Sequence, residues 1–240
     1  MIIIPARLNS SRFENKILVD ILGLPMVIRT AKQVSSLDHV VIATDSNEVV
    51  ELAKQHGIDA VMTSSEHQSG TDRINEAANI LNLSFDEIII NVQADEPFIE
   101  PEVVQSVINR VKQIKTNQES IMMVSCHKKI NSELADDPNH VKVLLDNNNN
   151  AIYFSRSKIP YHRDHYEHSS YFGHLGIYGF TKESLNTFCT LKSAPLEHIE
   201  KLEQLRAIYF GHTIAMVEVE SKSFGIDTQE DLKNAIKLFG

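Results

Sequence analysis

No run of about 18 apolar residues occurs anywhere in this 240-residue chain, so no membrane-spanning helix is expected. The apolar run in the opening MIIIPAR is too short for a signal peptide and reads as a first strand. Basic charge is in deficit, with 23 Lys and Arg against 32 Asp and Glu and a net charge of −9. That argues against broad binding to nucleic acid or to anionic membranes, but it leaves room for a small anionic ligand held by a few cations. Cysteine is scarce. Cys126 and Cys189 stand far apart, form no CxxC and offer no disulfide framework, so a reducing cytoplasm is the expected setting. Two phosphate-binding signatures are also missing. There is no GxxxxGK[ST], and Gly173, Gly176 and Gly179 do not have GxGxxG spacing.

What is present is an alternation. Short apolar runs at residues 2–4, 40–43, 60–62, 87–92 and 121–125 read as strands, and amphipathic patterns at 25–34, 48–56, 72–81 and 102–114 read as helices. Such alternation predicts a mostly parallel sheet with crossover helices. Continuous apolar strands suit a sheet covered on both faces. After residue 140 the pattern changes. Residues 141–145 and 151–155 read as a hairpin around an Asn-rich turn, and 174–180 and 213–219 as further strands. Residues 197–208 read as one amphipathic helix carrying Ile199, Leu202 and Leu205, and 228–238 as a final helix. The expectation is a single α/β domain over residues 1–240 with an antiparallel insertion in its second half.

Four segments carry candidate chemistry. The loop after the first strand, IPARLNSSRFENK, gathers Arg7, Arg12 and Lys16 with two serines at the carboxyl end of a strand, where α/β sheets bind ligands. Three cations and two hydroxyls suit a polyphosphate, and a solvated basic loop is the competing reading. In SSEHQSGTDR, Ser69, Gly70, Thr71 and Arg73 stand at a helix start. Ser69 and Asp72 fit a capping pattern, and a capped helix alone would explain them. In IIINVQADEPFI, a buried strand runs into Gln93, Asp95 and Glu96, of which one carboxylate is expected to face a site and could hold Mg²⁺. A turn closed by Pro97 is the alternative. In FGIDTQEDL, Thr228 and Asp231 fit a capping pattern that leaves Asp227 just outside the last helix. The histidines His162, His165, His168 and His174 fit no zinc spacing and read as a polar loop.

Taken in order, IPAR, SRFENK, ATD, HQSGTDR, NVQADEP, YFSRSKIPY, HLGIYGF, LEHIEKLEQLR and DTQEDL resemble the 3-deoxy-D-manno-octulosonate (Kdo) cytidylyltransferase family across essentially the whole chain. The resemblance implies a Rossmann-like nucleotidyltransferase fold and a cytoplasmic homodimer serving lipopolysaccharide biosynthesis. It implies transfer of CMP from CTP to Kdo with release of diphosphate, aided by Mg²⁺. By position it implies Arg7, Arg12, Lys16, Ser69, Gly70, Thr71 and Arg73 for CTP, and Asp95 and Asp227 for the metal. It implies Gln93, Arg156, His174, Glu200 and Gln204 for the sugar acid, and Arg7, Lys16, Asp95 and Asp227 as the catalytic group. Two departures stand out. The family's RLPGK is here Arg12-Phe13-Glu14-Asn15-Lys16, and its NVQGDEP has Ala94 in place of glycine. Ala94 keeps an 8-amino-Kdo analogue open as substrate. Another sugar acid such as sialic acid, or an inactive nucleotide-binding relative, are the remaining alternatives.

Overall fold

The computed structural model describes residues 1–8, 13, 15–164 and 170–240, and the chain gathers into two compact units. The first comprises Met1–Gln105 and Ser221–Gly240, the second Ser106–Glu220.

The first unit starts with β1 (Ile2–Ala6), whose Ile2, Ile3 and Ile4 are fully buried. A tight ribbon of β2 (Asp20–Ile21) and β3 (Leu24–Pro25) follows. Its turn needs φ > 0 at both central residues, met by Leu22 at 52° and Gly23 at 84°, the twist that suits a two-residue hairpin. Next come α1 (Met26–Val34), β4 (Val40–Thr44), α2 (Asn47–Gln55), β5 (Asp59–Met62), α3 (Gly70–Ile80), β6 (Ile88–Asn91) and the first residues of α4 (Pro101–Asn117), most of which belongs to the second unit. Within this unit β6, β1, β4 and β5 lie side by side and all parallel, with Ile2 opposite both Val40 and Ile90. The continuous β-branched runs anticipated this: both faces of β1 and β4 are buried, so neither strand alternates.

In the second unit β7 (Met123–Ile130) leads through α5 (Ser132–Asp136) to β8 (Lys142–Leu145), β9 (Ala151–Ser155) and the long β10 (Tyr171–Thr181). These pair antiparallel: β8 with β9, β10 with β8, and β10 with β7. After α6 (Lys182–Thr190), α7 (Pro195–Glu200) and α8 (Leu205–Tyr209), β11 (Ile214–Glu218) joins β7 in parallel. The mostly parallel first half and the antiparallel insertion are as expected, but the single helix expected over 197–208 is two. Lys201 adopts φ 54°, a left-handed cap that ends α7 and turns the chain before α8. Helix α6, which the sequence reading did not anticipate, begins with a reciprocal cap between Thr181 and Ser184.

The chain then returns to the first unit for α9 (Gln229–Phe239). Ile226 and Ala235 pack there with Ile21, Met26 and Phe98, and Phe239 stacks on Phe98 at 4.6 Å between ring centroids.

Candidate active site

The site in the first unit is built at the carboxyl ends of its parallel strands. Lys16 opens a short 3₁₀ turn, Lys16–Leu18, preceded by Asn15 at φ 51° and ψ 29°. Asn15 stands where the family loop has glycine. Asn tolerates the left-handed region better than most residues, so the missing Pro-Gly does not prevent the turn. The ammonium of Lys16 reaches two carboxylates at once, Asp95 Oδ2 at 2.7 Å and Asp227 Oδ1 at 2.8 Å. Burial disfavours the charged lysine. The charges of Asp95 and Asp227 and their hydrogen bonds outweigh it and raise the Lys16 pKa above 10.5, so the ammonium persists across physiological pH.

The two adjacent acids after β6 point to different partners. Asp95 faces Lys16. Glu96, largely buried, accepts a hydrogen bond from the Ser223 hydroxyl at 2.9 Å, and its backbone N–H donates to Gln93 O in the turn. Asp95 also accepts at its carbonyl from Ile226 N–H at 2.9 Å, which ties the turn to the segment that carries Asp227. Asp227 precedes the cap of α9, in which the Thr228 hydroxyl accepts from Asp231 N–H and the Asp231 carboxylate accepts from Thr228 N–H. Ala94 is buried with its carbonyl accepting from the Thr30 hydroxyl at 3.0 Å, and its φ lies outside the positive region. Its Cβ therefore puts no strain on the backbone that glycine would have relieved.

These groups border a cavity of about 300 Å³ that also meets Pro5, Arg7 and the start of α3. Arg7 lies exposed at the end of β1. Arg12 lies outside the described residues. Ser69 caps α3, accepting from Asp72 N–H and donating to the Asp72 carboxylate, as the sequence pattern predicted. Gly70 backs onto the cavity wall: a Cβ there would stand 3.1 Å from Pro5 Cγ and 3.8 Å from Gln93 Oε1. Thr71 is buried. Gln93 lines the cavity and donates to Asn91 Oδ1 at 3.4 Å. Arg73 borders the cavity too, but its guanidinium is committed. Nη2 donates to Asp45 Oδ2 at 2.8 Å and Nη1 to the Thr63 hydroxyl at 2.7 Å, with the side chain 3% exposed. His67, also on the cavity wall, pairs through Nε2 with Glu76, which further accepts from Ser64 N–H. Neither Asp45 nor the His67–Glu76 pair was among the residues expected at a site. Asp45 lies in the ATD segment and His67 in HQSGTDR, so each was within reach of a closer reading.

The remaining expected sugar-site residues lie in the second unit, in two groups. Arg156 and Glu200 form one. Glu200 accepts from the Ser155 hydroxyl at 2.6 Å and from Arg156 N–H at 2.9 Å, and Arg156 Nε donates back to Glu200 O at 2.8 Å. Arg156 Nη1 also donates to Pro138 O at 3.0 Å. His174 and Gln204 form the other, within a chain of hydrogen bonds. The Ser125 hydroxyl donates to Ile177 O at 2.8 Å, so its oxygen accepts from His174 Nε2–H, also at 2.8 Å. His174 Nδ1 then accepts from Gln204 Nε2 at 3.4 Å, and Gln204 Oε1 accepts from the Tyr178 hydroxyl at 3.1 Å. Burial, reinforced by His127, drives the His174 pKa down to about 3, so the imidazole is neutral at pH 7 and poorly suited to be a general base. Burial, then Glu203, raises the Tyr178 pKa well above 10, which keeps its hydroxyl proton in place as a donor. Ser125 and Tyr178 were not anticipated. Glu200 and Gln204, expected four apart on one helix face, instead end α7 and precede α8 with the left-handed Lys201 between them. Of the clustered histidines, His162 stacks on Tyr171 at 4.6 Å, while His165 and His168 lie outside the described residues.

Comparison with known proteins places the chain in a family. A family model described as Cytidylyltransferase matches residues 1–214. A 3-deoxy-manno-octulosonate cytidylyltransferase from Wolinella succinogenes is 54% identical over 242 aligned positions, covering 100% of this chain and 99% of that protein. The chain belongs to the 3-deoxy-manno-octulosonate cytidylyltransferase family. A second family member, from Nitratiruptor sp., is 59% identical with 97% of each chain covered. Among solved structures, a CMP:2-keto-3-deoxy-manno-octonic acid synthetase complexed with CTP superposes with a TM-score of 0.88 at 35% identity, covering 99% of this chain and 96% of that one. A putative glucose-1-phosphate thymidylyltransferase from Bacillus anthracis, at 17% identity and TM-score 0.65, shares the nucleotidyltransferase fold with this cytidylyltransferase.

Proposed function

We propose that this protein transfers CMP from CTP to the anomeric hydroxyl of Kdo, releasing diphosphate, and that Asp95 and Asp227 hold Mg²⁺ while it does so. Likeness over the whole chain to Kdo cytidylyltransferases, one of them complexed with CTP, is the observation that carries the reading. The carboxylate pair fits the metal on its own terms. Two aspartates converge on one small cation, the ammonium of Lys16, and together they outweigh its charge by one. Mg²⁺ is typically bound through one or two carboxylates, with substrate phosphates and water completing its shell. When bound, the ion would supply charge neutralisation to the triphosphate.

The chain's own residues supply position and charge. Lys16 and Arg7 lie at the cavity and offset negative charge as it moves onto the departing diphosphate. Arg156 uses Nε and one Nη1 proton on backbone carbonyls, which fixes its guanidinium and leaves Nη2 to meet the sugar carboxylate. Neutral His174, held by Ser125 and Gln204 at its two ring nitrogens, would shape the sugar side of the site without adding charge. Aligning the anomeric hydroxyl with the α-phosphorus then provides most of the remaining rate enhancement. In the cell this chemistry would activate the sugar acid for lipopolysaccharide biosynthesis, performed by a cytoplasmic homodimer.

Incubation with CTP, Mg²⁺ and, in turn, Kdo, 8-amino-Kdo and sialic acid, with diphosphate release as readout, tests the proposal. Release with Kdo that EDTA abolishes is expected. No release with Kdo refutes it, and release with Kdo that persists in EDTA refutes the metal.

A further inference from the structure

Lys16 stands between the two aspartates. Its Nζ is 2.7 Å from one carboxylate and 2.8 Å from the other, and its side chain is only 10% exposed. This is where a single divalent cation would neutralise both acids. A divalent ion drawn to the same oxygens would come within a few ångströms of the ammonium, and like charges at that distance repel even though the two aspartates, 29% and 41% exposed, keep some contact with solvent. Lysine and metal therefore exclude one another from this spot. The flexible four-carbon stem of lysine lets the ammonium move while the backbone turn stays in place.

We propose that Lys16 is a resident cation that closes the aspartate pair of the free enzyme to divalent ions, and that the triphosphate of the incoming nucleotide opens it by drawing the ammonium away. The proposal rests on the reading of Asp95 and Asp227 as the metal pair. It makes the nucleotide the key to metal entry: the ion is held weakly without nucleotide, and the lysine that vacates the aspartates is delivered to the phosphates. Lys16 thereby acts as a positioning residue for metal loading as well as a charge for the reaction.

Binding of Mn²⁺ alone to the nucleotide-free protein, followed by electron paramagnetic resonance, tests this without any turnover. Lys16→Gln removes the competing charge and should bind Mn²⁺ about tenfold tighter than the wild type or more, even though it loses affinity for CTP. Lys16→Arg keeps the charge and should remain as weak as the wild type. Unchanged or weaker Mn²⁺ binding by Lys16→Gln overturns the proposal, as does an equal gain in Lys16→Arg. Adding Asp95→Asn to Lys16→Gln should abolish the gain. If Asp95→Asn weakens Mn²⁺ binding in the presence of CTP while Lys16→Gln changes nothing in its absence, the closure fails and the metal pair stands. If Asp95→Asn affects neither, the metal reading itself is wrong.

Discussion

Replacing Asp45 with alanine should unfold this protein early even with no ligand present. Asp45 follows β4 and pairs with Arg73, whose side chain is 3% exposed against 18% for Asp45. The 2.8 Å contact is joined by a 2.7 Å hydrogen bond from Arg73 to Thr63, so the guanidinium has exchanged water for two fixed partners. Removing one member of a buried pair typically costs about 3–5 kcal/mol, because the other is left charged and uncompensated. Asp45 retains some contact with solvent, and water can enter the space an alanine would leave, so roughly 2–4 kcal/mol is the better expectation for Asp45→Ala. For a chain of this length each kcal/mol lowers Tm by about 2–4 °C, giving a drop of roughly 4–16 °C. Differential scanning calorimetry without nucleotide measures it directly. The double variant Asp45→Ala/Arg73→Met should recover part of the loss, since it removes the stranded charge along with its partner. A Tm within about 1 °C of the wild type in the single variant would refute the argument and return Arg73 to a role in ligand binding alone.

The neighbouring acids Asp95 and Glu96 should separate cleanly. Asp95→Asn is expected to remove most diphosphate release while leaving the circular dichroism spectrum intact, whereas Glu96→Gln, which faces Ser223, should lower stability by about 1–2 kcal/mol and keep most of the activity, as urea titration and the turnover assay would show. His174 gives stability a pH dependence. Its pKa falls from 6.5 unfolded to about 3 folded, so the unfolded chain gains a proton that the native state refuses, and stability should decline as pH falls from 6.5 toward 3. His174→Gln should flatten that part of the urea midpoint against pH, although His127, also lowered by burial, will keep some slope; an unchanged curve would show that the imidazole is not buried neutral.

What the sequence disclosed, it disclosed through local rules. Residues 2–4 and 40–43 announced themselves as strands buried on both faces because their apolar runs do not alternate, and the observed strands extend them to Ala6 and Thr44. Thr228 and Asp231 marked the start of α9, which placed Asp227 just outside it. The break at Lys201 was hidden because Ile199, Leu202 and Leu205 keep helical spacing across it, and lysine is not a residue that advertises a left-handed turn. Long-range partnerships were hidden for a different reason. Asp45 with Arg73, or Ser125 with His174, Tyr178 and Gln204, join side chains whose individual segments look like ordinary strand, helix or loop. The role of Lys16 was half legible: its charge suggested phosphates, while its place between two carboxylates follows only from the three-dimensional meeting of three distant segments.

That meeting has a consequence for how the enzyme is born. The first unit is discontinuous, since its last piece, Ser221–Gly240, arrives after the whole second unit has been synthesised. On the ribosome, Lys16 and Asp95 are in place long before Asp227 exists. The emerging chain therefore has one carboxylate for its ammonium and lacks the Phe98–Phe239 stack. The carboxylate pair comes only with Ser221–Gly240, and a product released before Asp227 would carry most of the sheet but not that pair.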